Sequence, residues 1–112
     1  MEGFGYNGNT GLDNQENKVA PVFIEIFGFG EDKIICNNCR NAVRLCEMHG
    51  VKYEFHDVIQ ELSQGKIHRD INVTMDLMKR LGLTSADKIK VPQIFVDGVH
   101  IGALQDLKNY FK

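Results

Sequence analysis

The chain has 112 residues, of which 43% are hydrophobic and 25% charged, a balance typical of a single globular domain with its own core. Its formal net charge of −2 argues against a nucleic-acid module, because phosphate binding needs an excess or a cluster of basic residues. No apolar run reaches the ~20 residues that cross a bilayer. The first residues lack a basic region followed by an apolar stretch, so we expect no secretory signal. We therefore expect a cytoplasmic protein without nucleic-acid or membrane partners.

Residues 1–19 differ in composition from the rest of the chain. Their glycines and asparagines surround isolated apolar residues, including Phe4 and Tyr6, without helical or strand periodicity. Such a stretch buries too little apolar surface to offset its loss of chain entropy. The sequence predicts a disordered tail at 1–19 and a folded domain at 20–112. A partner-binding arm that uses Phe4 and Tyr6 is the alternative.

The first half of the domain predicts a strand, a helix and a second strand. Residues 22–27 are almost continuously apolar, as in a strand that is buried on both faces. Residues 37–49 have helical spacing and are followed by Gly50, which is typical of a helix end. Residues 51–58 alternate between apolar and polar, which predicts a strand. Two strands joined in this way form a parallel, right-handed unit.

The middle of the chain is less regular. Residues 59–70 are polar, and the sequence leaves their structure ambiguous. Asn72 is the expected N-cap of a helix that ends at Gly82.

A hairpin and a helix are predicted at the end of the chain. Residues 90–96 and 99–102 flank Asp97-Gly98, a dipeptide that favours a two-residue hairpin turn. Residues 103–111 place apolar side chains on one helical stripe. The complete order is β-α-β-α-β-β-α, which indicates an α/β fold with a parallel and an antiparallel half.

Cys36 and Cys39 form a Cys-x-x-Cys pair between the first strand and its helix. The first N–H groups of a helix lack intrahelical partners and carry partial positive charge, so they stabilise a thiolate. Helix-start cysteines of this kind have thiol pKa values of about 3.5–7.5, against about 8.5 for a free thiol. We therefore predict that Cys36 is a nucleophile and that Cys39, one turn further, resolves the mixed disulfide.

A structural zinc site is an alternative use of the same cysteines. Cys36, Cys39, Cys46 and His49 offer four possible ligands. However, a continuous helix separates Cys39 from Cys46 by about 10 Å of rise, too far for two ligands of one tetrahedral ion. We expect no metal, and we expect Cys46 to be a small buried hydrophobic residue.

Two further features leave alternatives open. Val91-Pro92 opens a strand, so Pro92 is either an ordinary strand-start proline or part of a cis peptide bond beside the cysteines. Gly102 either forms a tight turn or lets a ligand carboxylate approach the following helix.

Two motifs together resemble the glutaredoxin family. They are Cys36-x-x-Cys39-x-x-Ala42 and the stretch from Val91-Pro92 to Gly102. The similarity covers about residues 22–112, and both ends of that range are most similar to small bacteriophage glutaredoxins.

This resemblance implies a thioredoxin fold, with a four-stranded mixed sheet flanked by helices. Across this sheet, the four predicted strands lie in the order second, first, third and fourth, numbered along the chain. It also implies a cis Pro92 and thiol–disulfide exchange in a monomer that holds no cofactor tightly and uses glutathione as co-substrate. The substrates would be protein disulfides and glutathione mixed disulfides, and phage members are expected to supply electrons to ribonucleotide reductase. A phage-encoded chain would work in the host cytoplasm.

The resemblance also assigns residues to the site. The catalytic residues would be Cys36, Cys39 and Pro92, and the glutathione-binding residues would be Lys33, Asn38, Val91, Gly102 and Ala103. The chain departs from the family pattern at Asn37-Asn38 between the cysteines, at Lys90 before Val91, and at Ala103 after Gly102. An iron–sulfur carrier that binds its cluster through Cys36 and glutathione is an alternative, which the presence of Cys39 disfavours.

Overall fold

The computed structural model describes residues 22–30, 32–62 and 65–112. The predicted tail at 1–19 and the first two residues of the predicted domain lie outside the described residues. The elements, in chain order, are β1 (Phe23–Gly28), α1 (Asn37–Met48), β2 (Lys52–Asp57), β3 (Ile59–Glu61), β4 (Ile67–Arg69), α2 (Ile71–Leu81), a 3-10 turn (Ala86–Lys88), β5 (Gln93–Val96), β6 (Val99–Gly102) and α3 (Leu104–Tyr110). Within these ranges, no helix has the length and apolar character needed to cross a membrane.

The main sheet has four strands in the order β2-β1-β5-β6. Strand β1 pairs in parallel with β2 and antiparallel with β5, and β5 pairs antiparallel with β6. The resemblance implied this order for the four predicted strands, and the structure confirms it.

Residues 59–70, which the sequence leaves ambiguous, contain two short strands. Strands β3 and β4 lie there and pair antiparallel as a separate two-stranded sheet. Each has only three residues, which is too short for an alternation of polar and apolar side chains to be recognised. Backbone bonds anchor this hairpin, since the Asp70 N–H donates to the Val58 carbonyl at 2.8 Å.

The helix ends and turns follow local chemistry, with one correction. The N-cap of α2 is Asp70 and not Asn72, because the Asp70 carboxylate accepts the Val73 N–H at 3.2 Å. Asp and Asn are about equally good caps, so composition alone does not choose between two nearby candidates. Gly82 ends α2 in the left-handed conformation as predicted, with φ of 69°. The turn residues Asp97 and Gly98 both have positive φ, as the predicted hairpin turn requires.

Strand β1 is buried on both faces, as its apolar run predicts. Ile24 and Ile26 face a core formed with α1 and α3, whereas Phe27 faces a second core formed with α2. The first core contains Ile24, Ile26, Ala42, Cys46, Ile94, Val96, Leu104 and Leu107, and the second contains Phe27, Val58, Ile59, Leu77 and Phe95. The sheet is thus the middle layer of the domain.

An ion pair between Arg80 of α2 and Glu25 of β1 connects the helix to the sheet. The Arg80 guanidinium donates to both carboxylate oxygens of Glu25, at 3.0 and 3.1 Å. It also lies 5.1 Å from the ring centroid of Phe27 and 5.0 Å from that of Phe95. His56 Nε2 lies 3.0 Å from a Glu25 oxygen. The Arg80 hydrogen bonds hold the pKa of Glu25 below its usual value, although burial acts in the opposite direction.

We expect Arg80→Ala to lower the free energy of unfolding by about 2 kcal/mol at pH 7, because Glu25 would keep its charge and lose a bidentate partner. The Glu25 side chain is only 12% exposed, so water replaces that partner poorly. Arg69→Ala is the matched control, since Arg69 pairs with Asp87 in full solvent and contributes less than about 0.5 kcal/mol. Urea denaturation measures both variants.

The same pair predicts a pH dependence. The pKa of Glu25 is lowered in the folded state, so its contribution is present above the unfolded pKa, near 4.5, and is lost as the pH falls through the folded value. The difference in stability between the parent protein and Arg80→Ala should therefore shrink in acid. An equal difference at pH 7 and pH 3 would show that Arg80 stabilises through its packing on the rings instead.

Candidate functional site

Cys36 lies where the sequence predicts it, at the start of α1. It is the N-cap residue, with extended backbone (φ −133°, ψ 96°), and its sulfur accepts the N–H of Cys39 at 3.3 Å. That N–H belongs to the first turn, whose donors have no partner within the helix. The Cys36 side chain is partly exposed, whereas Cys39 is 1% exposed. An incoming disulfide therefore meets Cys36 first.

The two cysteines are joined as a disulfide in this structure, with their Cα atoms 5.3 Å apart. The pair therefore sits in its oxidised form within one turn of α1. In the reduced form, the same backbone keeps the Cys39 thiol within reach of the Cys36 sulfur. The arrangement suits a disulfide that forms and breaks during turnover.

Gly28, the last residue of β1, lets Cys39 approach the sheet. A Cβ atom at this position would lie 2.8 Å from the Cys39 sulfur and 3.2 Å from the Phe55 ring. Only a residue without a side chain fits this contact unless its neighbours move. The sequence signal for this role is a glycine that ends the strand before a Cys-x-x-Cys pair, which the sequence-based assignment of the site did not include.

Cys46 is fully buried in the core between the sheet and α1, as predicted. Burial, with a smaller contribution from the charge of Glu47, raises the pKa of its thiol to about 11. The thiol therefore stays protonated at neutral pH and is a poor nucleophile.

The four ligands of the zinc alternative are not brought together. Cys39 and Cys46 are both on the continuous helix α1, separated by about 10 Å of rise. In the part of the chain that the structure describes, three potential metal ligands converge only at Glu25, Glu54 and His56. There, the Arg80 guanidinium already occupies both oxygens of Glu25.

Pro92 lies at the same end of the sheet as the cysteines. The Val91–Pro92 peptide bond is cis, as the resemblance implied, and Pro92 is buried. The antiparallel register pairs Gln93 with Phe27, which places Pro92 across from Gly28. Since Gly28 contacts Cys39, the start of β5 and the start of α1 meet at one site.

Lys33 is held by the loop that precedes the nucleophile. Its ammonium donates to Asp57 at 2.8 Å and also lies 3.3 Å from Asp32. The hydrogen bond to Asp57 is the main reason that the pKa of Lys33 is raised. Asp57 also accepts the N–H groups of Gly30 and Ile59, both at 3.1 Å. Asp57 thus fixes the loop to the end of β2, a role that the sequence does not indicate because the contact is not local.

The remaining predicted site residues lie at this end of the sheet as well. Asn38 is exposed in the first turn of α1. Gly102 ends β6 with φ of 125°, a conformation that favours glycine, and the Asp106 carboxylate fills the space where a Cβ would be. The Ala103 N–H donates to that carboxylate at 2.9 Å.

A cleft of about 650 Å³ opens on the other flank of the cysteines, between α1 and the edge strand β2. Its lining contains both cysteines together with Phe29, Gly30, Arg40, Val43, Arg44, Glu47, Tyr53 and Phe55. The two arginines were not among the site residues predicted from the sequence. Their spacing of four residues, which places them on one helix face, was the available signal.

A Cys-x-x-Cys pair at a helix start, on a mixed sheet with a cis proline beside it, defines a dithiol–disulfide oxidoreductase. Comparisons with known proteins narrow this class. A glutaredoxin family model matches residues 33–101. The chain is 30% identical over 89 residues to the glutaredoxin of Enterobacteria phage T4, which covers 79% of this chain and 98% of the phage protein. The chain belongs to the glutaredoxin family.

Solved structures agree on the fold. Glutaredoxin 1 from Francisella tularensis, crystallised with cacodylate, aligns with a TM-score of 0.51 at 19% identity, over 80% of this chain and 92% of that one. Buckwheat glutaredoxin in its glutathione complex aligns with a TM-score of 0.51 at 20% identity, over 79% of this chain and 66% of that one. At these low identities, the structural alignments establish the fold alone. The family match establishes thiol–disulfide oxidoreductase activity.

The position of Cys36 predicts its reactivity. We expect the pKa of its thiol to lie below the ~8.5 of a free cysteine, because the sulfur is at the helix start and accepts a backbone N–H. The rate of iodoacetamide alkylation as a function of pH, measured on the Cys39→Ser, Cys46→Ser variant, gives this value. A midpoint at or above ~8.5 would contradict the helix-start argument.

Cys46 is the internal control for this measurement. On the Cys36→Ser, Cys39→Ser variant, the folded protein should resist alkylation at neutral pH, because the thiol is buried and its pKa is raised to about 11. Alkylation should appear once denaturant unfolds the chain. Rapid labelling of folded protein would show that the core around Cys46 opens to solvent.

Proposed function

We propose that this protein reduces protein disulfides and glutathione mixed disulfides, with glutathione as its electron donor. Cys36 is the nucleophile and Cys39 is the resolving thiol. The observation that carries this proposal is the difference between the two cysteines. Cys36 is partly exposed and accepts a helix N–H, whereas Cys39 is buried one turn behind it.

The first step consumes the substrate disulfide. The Cys36 thiolate attacks one substrate sulfur, a new S–S bond forms, and the substrate's own S–S bond breaks. The leaving thiolate takes a proton from solvent. The helix-start N–H groups favour the attacking thiolate over the protonated thiol, so more of the enzyme is ready to react at neutral pH.

The second step releases the substrate. The Cys39 thiolate attacks the Cys36 sulfur, which frees the second substrate thiol and leaves the Cys36–Cys39 disulfide. The substrate has then gained two electrons and the enzyme has lost two. Two glutathione molecules return the enzyme to its dithiol form and leave as glutathione disulfide.

The proposed glutathione site lies on the Pro92 flank of the cysteines. Its residues are Lys33, Asn38, Val91, Gly102 and Ala103, with Pro92 beside the reacting sulfurs. The convergence of β5, β6 and α1 at one end of the sheet supports this assignment. Two donors already have partners, since Lys33 pairs with Asp57 and the Ala103 N–H with Asp106. On binding, a glutathione carboxylate would replace Asp57 as the partner of Lys33, and the other would replace Asp106 as the acceptor of the Ala103 N–H.

We also propose a cellular role and setting. The similarity to phage glutaredoxins supports ribonucleotide reductase as a protein substrate, in a host cytoplasm that keeps glutathione reduced. The active form would be a monomer of the folded domain at 20–112, with the tail at 1–19 outside it. A turnover assay with glutathione and its reductase, compared with thioredoxin reductase, identifies the electron source, and oxidised ribonucleotide reductase serves as the substrate.

We expect Cys36 and Cys39 to be needed for different reactions. Deglutathionylation needs only Cys36, because free glutathione can attack the Cys36 mixed disulfide, whereas release of a protein disulfide needs the neighbouring Cys39. Cys39→Ser should therefore keep substantial turnover of a glutathionylated thiol and lose most protein-disulfide reduction. Cys36→Ser should lose both activities.

Cys46→Ser is the matched control and should change neither activity by more than a few-fold. Steady-state turnover of both substrate types is measured for each variant. Activity of Cys36→Ser together with inactivity of Cys46→Ser would reverse the assignment of the nucleophile. Unfolding of all three variants with loss of a metal would favour the zinc alternative.

Lys33 offers a test of the glutathione site. We expect Lys33→Gln to raise the KM for glutathione about fivefold, the effect of losing one solvent-accessible ion pair. Lys33→Arg should restore most of the affinity. Lys79→Gln, an exposed lysine near the end of α2, is the charge-matched control. An unchanged KM in Lys33→Gln would remove Lys33 from the binding site and leave it as a partner of Asp57.

A further inference from the structure

The cleft between α1 and β2 is part of the reaction site by its position. Cys36 and Cys39 both line it, so a molecule held there is within reach of the disulfide. It lies on the flank opposite to Pro92 and Gly102, the side to which glutathione binding is assigned above. The cleft is therefore a second approach to the same pair of sulfurs.

The side of the cleft formed by α1 carries two arginines and one carboxylate. Arg40 and Arg44 are one turn apart on α1, separated by about 6 Å of helical rise. Arg44 is exposed, and within the described ranges of the chain no ion pair or hydrogen bond engages its guanidinium. Glu47, the acidic residue in the lining, accepts a hydrogen bond from the Tyr53 hydroxyl at 2.9 Å. Two arginines against one carboxylate leave the cleft lining with a net positive charge, in contrast to the net charge of −2 of the whole chain.

The floor of the cleft is apolar. Phe29, Val43 and Phe55 contribute partly buried side chains below the arginines. A floor of this kind accepts the backbone and the apolar side chains of an extended peptide, while the charged rim selects its polar side chains. The combination suits a segment of a protein better than an isolated inorganic anion.

We propose that this cleft binds protein disulfides that carry acidic residues close to the reacting cysteine. The proposal rests on the proposed function, since it names the substrate class of that site. Along α1, Arg40 is about 6 Å and Arg44 about 12 Å of rise from Cys36. An extended substrate advances about 3.3 Å per residue. An acidic side chain four residues from the substrate cysteine therefore meets Arg44, and one two residues away lies at the level of Arg40.

A set of peptide disulfides of equal length tests the proposal. One carries Asp at the second and fourth residues from the cysteine, one carries Lys there, and one carries Asn. The parent protein should reduce the Asp peptide with a kcat/KM at least about fivefold above that of the Asn peptide, with the Lys peptide lowest. The preference should weaken as salt is added. It should also vanish when both Asp residues are moved eight or more residues from the cysteine.

Arg44→Glu should reverse the order of the Asp and Lys peptides. Lys52→Glu is the matched control, because it makes the same change of charge at an exposed position of β2 outside the cleft lining. An equal response to both substitutions would overturn the proposal, since net charge would then explain the preference. A parent protein that reduces all three peptides equally well would overturn it too.

Two other outcomes have distinct meanings. If Arg44→Glu raises the KM for glutathione as much as it lowers kcat/KM for the Asp peptide, the cleft binds glutathione and the protein-substrate proposal is wrong. If the parent protein reduces neither the peptides nor a glutathionylated thiol, the proposed function itself fails, and the cleft proposal fails with it.

Discussion

The packing of Cys39 against Gly28 is the contact on which the site depends. It joins the end of the central strand to the first turn of α1, so the buried sulfur is part of the core and the exposed sulfur is part of the surface. A Cβ atom at residue 28 would lie 2.8 Å from the Cys39 sulfur, so the strand end or the helix start would have to shift. The glycine thus couples the stability of the fold to the geometry of the reaction.

The three cysteines show how environment decides reactivity in one helix. Cys36 has backbone N–H groups and solvent around it, and both favour the thiolate. Cys46 lies three turns along, surrounded by hydrocarbon, where desolvation raises its pKa to about 11. Cys39 is buried as well, but it lies one turn from Cys36. Its proposed role as the resolving thiol depends on proximity to that sulfur and needs no exposure to substrate.

The parts of the fold that follow local rules were predictable from the sequence, and the rest depend on contacts between distant residues. The apolar run of β1, the glycine that ends α2 and the Asp97-Gly98 turn each carry their signal within a few residues. The hairpin at 59–69 does not, because its strands are short and polar. In the site, the helix-start position of Cys36 was predictable, whereas the bond from Lys33 to Asp57 spans 24 residues and has no local signature.

One face of α1 packs against the sheet and another lines the cleft. Residues that contact substrate can therefore change while the fold is kept. Its buried residues, Cys39, Ala42 and Cys46, pack against the sheet, and the core constrains them. Arg40 and Arg44 line the cleft outside that core. Substitutions at an exposed position such as Arg44 cost little stability, usually within about 0.5 kcal/mol. The helix that sets the reactivity of the dithiol can therefore carry a different recognition surface without any change in the chemistry.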